Sequence, residues 1–209
     1  MRAIQKTKRS PLVAFLAEWG IFLLFMAAFF ASRYFIWNPV SVDGHSMDPT
    51  LQHQEKLIML KTTSIDRFDI VVASETDSDG KEKLIVKRVI GMPGDEIRIE
   101  NDVLYINGQE VDEPYLDDYL AAFHKDKLQE EYAYNKQFQA LAQSAQAFTL
   151  DANSYPSLSY IVPEGHYFLL GDNRLVSLDS RTVGPFTRAN IKGEVVFRMW
   201  PLNRIGTVD

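Results

Sequence analysis

The chemistry in this chain starts at Ser46, in Gly44-His45-Ser46-Met47-Asp48-Pro49-Thr50. A glycine two positions before the serine permits backbone angles closed to other residues, so a second chain can approach closely. Pro49 fixes the turn behind it and restricts Asp48 to extended geometry. The expectation is a hydroxyl presented at a sharp exit from an extended segment. Taken alone, the heptad also reads as a surface turn with an incidental serine. A serine hydroxyl is a weak nucleophile until a neighbouring base removes its proton.

Four histidines are available as that base: His45, His53, His124 and His166. In an extended segment His45 points away from the Ser46 face. His124 belongs to a charged stretch, and nothing in the sequence pairs His53 or His166 with an orienting acid. Lys87 differs. It sits in Leu84-Ile85-Val86-Lys87-Arg88-Val89-Ile90, and on a period of two it shares a face with Ile85 and Val89. Aliphatic neighbours strip water from an ammonium and lower its pKa, and a neutral lysine can deprotonate serine. A lysine reaching out from an edge strand is the open alternative. A third group, Gly171-Asp172-Asn173-Arg174 and then Ser177-Leu178-Asp179-Ser180-Arg181, is dense in acids, amides and hydroxyls. Taken alone such a loop reads as a hydrogen-bonded structural corner; read functionally, Ser177 would accept a hydrogen bond from Lys87 while Asp179 and Arg181 pair and stiffen it.

The elements that must position these groups read as mainly β. Short runs punctuated by turns are expected as strands at 40–43, 56–60, 69–74, 83–90, 96–100 and 103–106, and again at 159–162, 167–170 and 194–199. The segment 76–80 reads as a hairpin tip, and Asn107-Gly108 carries a tight-hairpin signal. No βαβ alternation occurs. Residues 114–153 break the pattern, with apolar residues at helical spacing amid charges, and are expected to form a helix-containing insertion.

Charge and hydropathy divide the chain further. Residues 1–37 carry five basic side chains and one acid, whereas the other 172 carry 17 basic and 27 acidic. An acidic main body argues against nucleic acid as the partner. The apolar tract 11–37, interrupted by Glu18, Ser32 and Arg33, is expected to be one membrane span, with Trp19, Tyr34 and Trp37 at its interfaces. Basic residues precede it, which keeps the tail 1–10 in the cytoplasm and puts 38–209 outside. Ala28-Phe29-Phe30-Ala31 lacks the small-x-small pattern of a processing site, so the tract reads as an uncleaved anchor. The chain has no cysteine, which excludes disulfides and a thiol nucleophile.

Together and in this order, the stretches 44–50, 87–95 and 171–181 behind an N-terminal anchor resemble bacterial type I signal peptidases, the Gram-positive kind with one membrane segment. The resemblance implies an all-β catalytic domain at 38–209. It implies Ser46 as nucleophile, Lys87 as general base, Ser177 as the hydroxyl orienting that base, and Asp179 with Arg181 as a supporting pair. Arg88 falls on the family's arginine beside the base, in a structural role. Gly44 stands where the Gram-negative enzymes carry a serine that helps bind the oxyanion, so the donors must be main-chain, Ser46 N–H among them. Leu175-Val176 also departs, since polar residues are common there. A signal peptide would bind as an added strand beside 40–44 and 84–86, with Val42, Asp43, Met47, Ile85 and Val86 around small pockets for Ala-x-Ala sites. The implied chemistry calls on no metal, nucleotide or other cofactor, and its partners are preprotein signal peptides, membrane lipid and the neighbourhood of the export translocon.

Two rivals differ in kind. A Ser-His-Asp hydrolase would use the near-elbow Gly44–Asp48, but Asp48 replaces its last glycine and the strand–turn–helix context is missing. A membrane-tethered β domain that only binds is the non-enzymatic reading.

Overall fold

The computed structural model describes residues 10–76 and 79–208. The basic tail expected at 1–10 lies outside these residues save for Ser10, as does the centre of the 76–80 tip. Helix α1 spans Pro11–Phe35, with proline at its first position where no N–H is needed. Its Phe15–Phe35 stretch is long and apolar enough to cross a membrane, and none of it is buried in the rest of the protein. The helix ends two residues before the expected boundary because Trp37 already pairs with Leu60 as the start of strand β1 (Trp37–Ser41). Lys61 closes the joint: its amine donates to the Tyr34 carbonyl at 2.7 Å and its N–H to Ile36 O at 2.8 Å.

The body is antiparallel β. Strands β2 (Lys56–Leu60), β3 (Ile70–Thr76), β4 (Glu82–Gly91), β9 (His166–Leu170), β10 (Phe186–Thr187), β11 (Ile191–Trp200) and β12 (Gly206–Thr207) join β1 in one sheet. Its order is β1-β2-β11-β3-β4-β9-β10, with β12 against β11. A second sheet is ordered β7-β6-β5-β8, from Gln109–Val111, Val103–Ile106, Glu96–Glu100 and Ser157–Ile161. Strand β1 begins three residues earlier than expected. Pro39 has no N–H to give, and β1 is the sheet edge where such a residue is tolerated. The short strands β7, β10 and β12 were not expected. Asn107 and Gly108 both have positive φ, at 53° and 78°, as a two-residue hairpin turn between β6 and β7 requires.

Strand β3 is buried on both faces. Ile70 and Val72 join Leu57, Met59, Met47 and Val195 in one core, while Val71 and Ala73 join Val89, Leu169 and Ile191 in another. The insertion carries helices α2 (Asp117–Asp126) and α3 (Lys136–Ser144) around its own core of Tyr119, Phe123, Tyr132 and Phe148. That core reaches Leu175 and Val176, which accounts for two apolar residues in an otherwise polar loop. Register decides where the sheet is open. Strand β9 pairs with β4 only from Arg88 onward, whereas β3 pairs with β4 along 82–88. The segment 84–86 therefore keeps one edge unpaired by β9, where the chain has already left Leu170 for the 171–181 loop.

Candidate active site

Residues 46–50 form consecutive turns entered through Gly44, whose φ of 99° favours glycine. The turn is gripped from behind. Val42 N–H donates to Glu55 O at 2.9 Å, and Gln54 N–H returns a bond to Val42 O at 2.9 Å. The buried Glu55 carboxylate lies 3.0 Å from Arg198 Nε and 2.8 Å from Arg204 Nη1. Both guanidinium groups also donate to the Thr50 carbonyl, at 2.7 and 3.2 Å, and Arg204 to Pro49 O at 3.3 Å. A carboxylate thus orients two arginines that hold the carbonyls just past the serine.

Lys87 reaches this turn from β4, opposite Val71 of β3. It is 3% exposed, and its Nζ donates to Ser46 Oγ at 2.8 Å. An edge lysine extended into water is excluded by that burial. Loss of hydration lowers the amine to about 8; Asp179, Glu75 and Asp172 pull it upward, and Arg181 pushes it down. At pH 7 the amine is largely charged in both folded and unfolded chains, so its burial opposes folding by on the order of 3 kcal/mol. The cost is relieved only as pH rises from about 8 toward the ordinary lysine value of 10.5. Lys87→Met is therefore expected to raise the unfolding temperature at pH 7 by several degrees, with the advantage shrinking above about pH 8. Thermal unfolding of both proteins across that range checks it; an unchanged or lower unfolding temperature at pH 7 would contradict the dry amine.

The 171–181 loop packs behind the pair. Asn173 N–H donates to Ser46 O at 3.1 Å, tying the loop to the serine's own carbonyl. Gly171 makes that approach possible: a Cβ there would lie 2.2 Å from Ser177 Oγ and 2.4 Å from Ser46 O. Burial works to raise the Asp179 carboxyl, but the charge and hydrogen bonds of Arg181, the Gly171 N–H and nearby Ser177 hold it below the usual carboxylate range. Arg181 donates to both Asp179 oxygens at 2.8 Å and to Leu150 O and Arg174 O at 2.9 and 2.7 Å, so it also joins loop to insertion. Buried Arg88 forks onto Asp172 at 2.9 and 2.8 Å and stacks 3.9 Å over Tyr115.

Two expectations need correction. The hydrogen bond from Lys87 to Ser177 is not formed: Ser177 Oγ is buried beside Gly171 and Asp179, and Lys87 donates to Ser46 instead. Gly44 does not offer a free N–H to an oxyanion, because that group donates to His53 Nδ1 at 3.1 Å. One histidine departs from its sequence reading, since His53 has an acid near it. His45 pairs with Asp48 at 3.0 Å, and His53 lies 3.6 Å from Asp43. His45 stacks on Tyr134 with centroids 4.8 Å apart, and the Ser46 hydroxyl is bonded to Lys87.

Val42, Asp43, Met47, Ile85 and Val86 all line one cleft of about 430 Å³ with Gly44, Ser46 and Lys87. Val42 and Met47 are anchored in the core below. Sequence reasoning named the 171–174 cluster but not the partners of Asp172 and Arg174, Arg88 and Glu113, and it missed the Glu55 clamp. Charged residues flanked by apolar strands were the only signal for them. Chemically, the arrangement offers a hydroxyl with an adjacent amine that can be neutral near physiological pH, beside an open strand edge.

Over residues 16–200 the chain matches the family described as signal peptidase, peptidase S26. A signal peptidase I of Streptococcus pneumoniae serotype 4 is 57% identical over 200 residues, 92% of this chain and 97% of that protein. A signal peptidase IB of Staphylococcus aureus strain Mu50 is 37% identical over 194 residues, 90% of this chain and 91% of that one. The crystal structure of a signal peptidase I from Enterococcus faecalis V583 is 30% identical, covers 63% of this chain and 97% of its own, and aligns with a TM-score of 0.43.

Proposed function

The chain belongs to the signal peptidase family, peptidase S26, and is a serine endopeptidase that removes signal peptides; from that premise we propose that Ser46 and Lys87 carry the reaction. The observation behind this reading is the 2.8 Å hydrogen bond between Lys87 Nζ and Ser46 Oγ, made by an amine lowered to about 8. Neutral Lys87 takes the hydroxyl proton as Ser46 Oγ attacks the scissile carbonyl. The resulting ammonium gives its proton to the departing amine, leaving an acyl-enzyme. Water, deprotonated in turn by Lys87, then releases the signal peptide. The Ser46 N–H is the main-chain donor assigned to the oxyanion. Asp179, Arg181, Arg88 and Ser177 act at one remove, by keeping the loop and the strand fixed around the amine.

The signal peptide adds as a strand beside 40–44 and 84–86, where β4 is unpaired by β9. Main-chain bonding accepts varied sequences, so selection falls to the walls, Val42, Asp43, Met47, Ile85 and Val86. Their side chains leave room for alanine-sized residues at Ala-x-Ala sites. Helix α1 anchors the protein in the cell membrane, with the N-terminus cytoplasmic and the catalytic domain outside, near the export translocon. Exposure of its apolar side chains, Ile21 at 87% and Leu24 at 72%, supports the anchor.

The test is processing of a preprotein with an Ala-x-Ala site by the full chain in detergent. A single cut after the second alanine is expected. The rate should climb with pH to a plateau with its midpoint near 8, since only the unprotonated amine accepts the serine proton. A rate that stays flat through that midpoint would remove Lys87 from the role of base.

A further inference from the structure

His45, Phe138, Val176 and Leu178 line the cleft but belong to neither edge assigned to the signal peptide. Both edges run into the reacting pair, 40–44 toward Ser46 and 84–86 toward Lys87. A signal peptide bonded along them ends at the scissile carbonyl, so the chain beyond the cut leaves over the remaining wall.

That wall is fixed with care. Asn135 caps helix α3, accepting the N–H of Gln137 at 2.9 Å and of Phe138 at 3.3 Å, which sets Phe138 in the first turn. The Phe138 ring meets Tyr132, Tyr134 and His45 with centroids 5.6, 6.1 and 6.0 Å away. Tyr132 Oη donates to Asn173 Oδ1 at 2.5 Å, and Asn173 N–H holds Ser46 O. One short relay of contacts therefore links the insertion to the serine backbone. Val176 packs on the same core, and Leu178, 54% exposed, stands beside it.

We propose that Phe138, Val176 and Leu178 form the subsite for the first residue after the cut, and that this subsite prefers an apolar side chain to a charged one. The inference rests on the Ser46–Lys87 reading and gives the insertion a part in substrate choice. Its chemistry is an apolar wall: His45 Nδ1 is taken by Asp48 Oδ2 at 3.0 Å, and the rest of the Asp48 carboxylate is buried away from the cleft surface. Glu75 and Lys83 face each other across β3 and β4, toward the signal-peptide end of the cleft. A carboxylate or ammonium laid on Phe138 would lose water with nothing to replace it.

Two peptides that share one Ala-x-Ala leader and differ only in the residue after the cut, leucine or aspartate, test this. The full chain should favour leucine by about tenfold in kcat/KM, the discrimination one apolar contact supplies. Phe138→Ala should bring that ratio below about twofold, and Phe138→Leu should restore most of it. Selectivity between alanine and valine before the cut should be the same in all three proteins. Leu178→Ala, on an exposed side chain, should narrow the leucine-to-aspartate ratio in the same direction even where Phe138→Ala loosens the insertion. Processing without preference, or a ratio indifferent to these changes, would overturn the inference alone. Failure of the unaltered chain to process either peptide would overturn it together with the reading beneath it.

Discussion

If Ser46 and Lys87 are the proposed nucleophile and base, Ser46→Ala and Lys87→Ala are each expected to lower kcat for a preprotein by about 10⁴-fold while the protein stays folded, because the two would act as one unit. Removing either leaves the cleft able to bind but with no means of forming the acyl-enzyme, so KM should move far less than kcat. Lys87→Arg should fail as completely as alanine. A guanidinium keeps its proton, and its fork is a poor fit where a single amine reaches one hydroxyl at 2.8 Å. Purified variants assayed beside the parent, with thermal unfolding as the control for folding, decide the matter. An arginine variant that retained its rate would remove proton abstraction by this residue from the mechanism.

Gly171→Ala is expected to be the next most damaging change, though it alters no reacting group. The added methyl would meet Ser177 Oγ at 2.2 Å and Ser46 O at 2.4 Å. Rotating Ser177 would move its Oγ but leave its Cβ at 2.6 Å, and the Ser46 carbonyl is main chain already bonded to Asn173 N–H. Either the loop or the nucleophile turn must retreat by about 1 Å, a displacement that costs on the order of 10²-fold in rate. Overpacking should also take about 1–3 kcal/mol from stability. The measurement is kcat for the alanine variant with its unfolding temperature. Parental kcat would mean that the loop does not set the position of the serine.

What could be read in advance followed from local pattern. An amine at the centre of an aliphatic strand points to a dry environment, and the short continuous apolar runs of β3 and β4 point to strands buried on both faces. Pairings remote in sequence escaped. Arg174 finds Glu113 across 61 positions, and Glu55 finds Arg198 and Arg204 at the other end of the chain. No periodicity records such distances. Ser177 shows a subtler limit: the right loop was identified, but which hydroxyl meets the amine depends on how loop and nucleophile turn pack together, and it is Ser46 that Lys87 reaches. Strands of two or three residues, such as β10 and β12, exist only because a longer neighbour offers an edge.

The joint between α1 and β1 has one further consequence. A single residue, Ile36, separates helix from strand, and Lys61 fastens both sides of it. A one-residue link leaves little length over which the cleft could shift relative to its mooring. On the anchoring proposed here, the enzyme works as a ruler: scissile bonds at one height above the lipid are within reach, and those emerging higher or lower are passed over whatever residues flank them. Substrate choice would then be written partly in leader length, a quantity that no pocket measures.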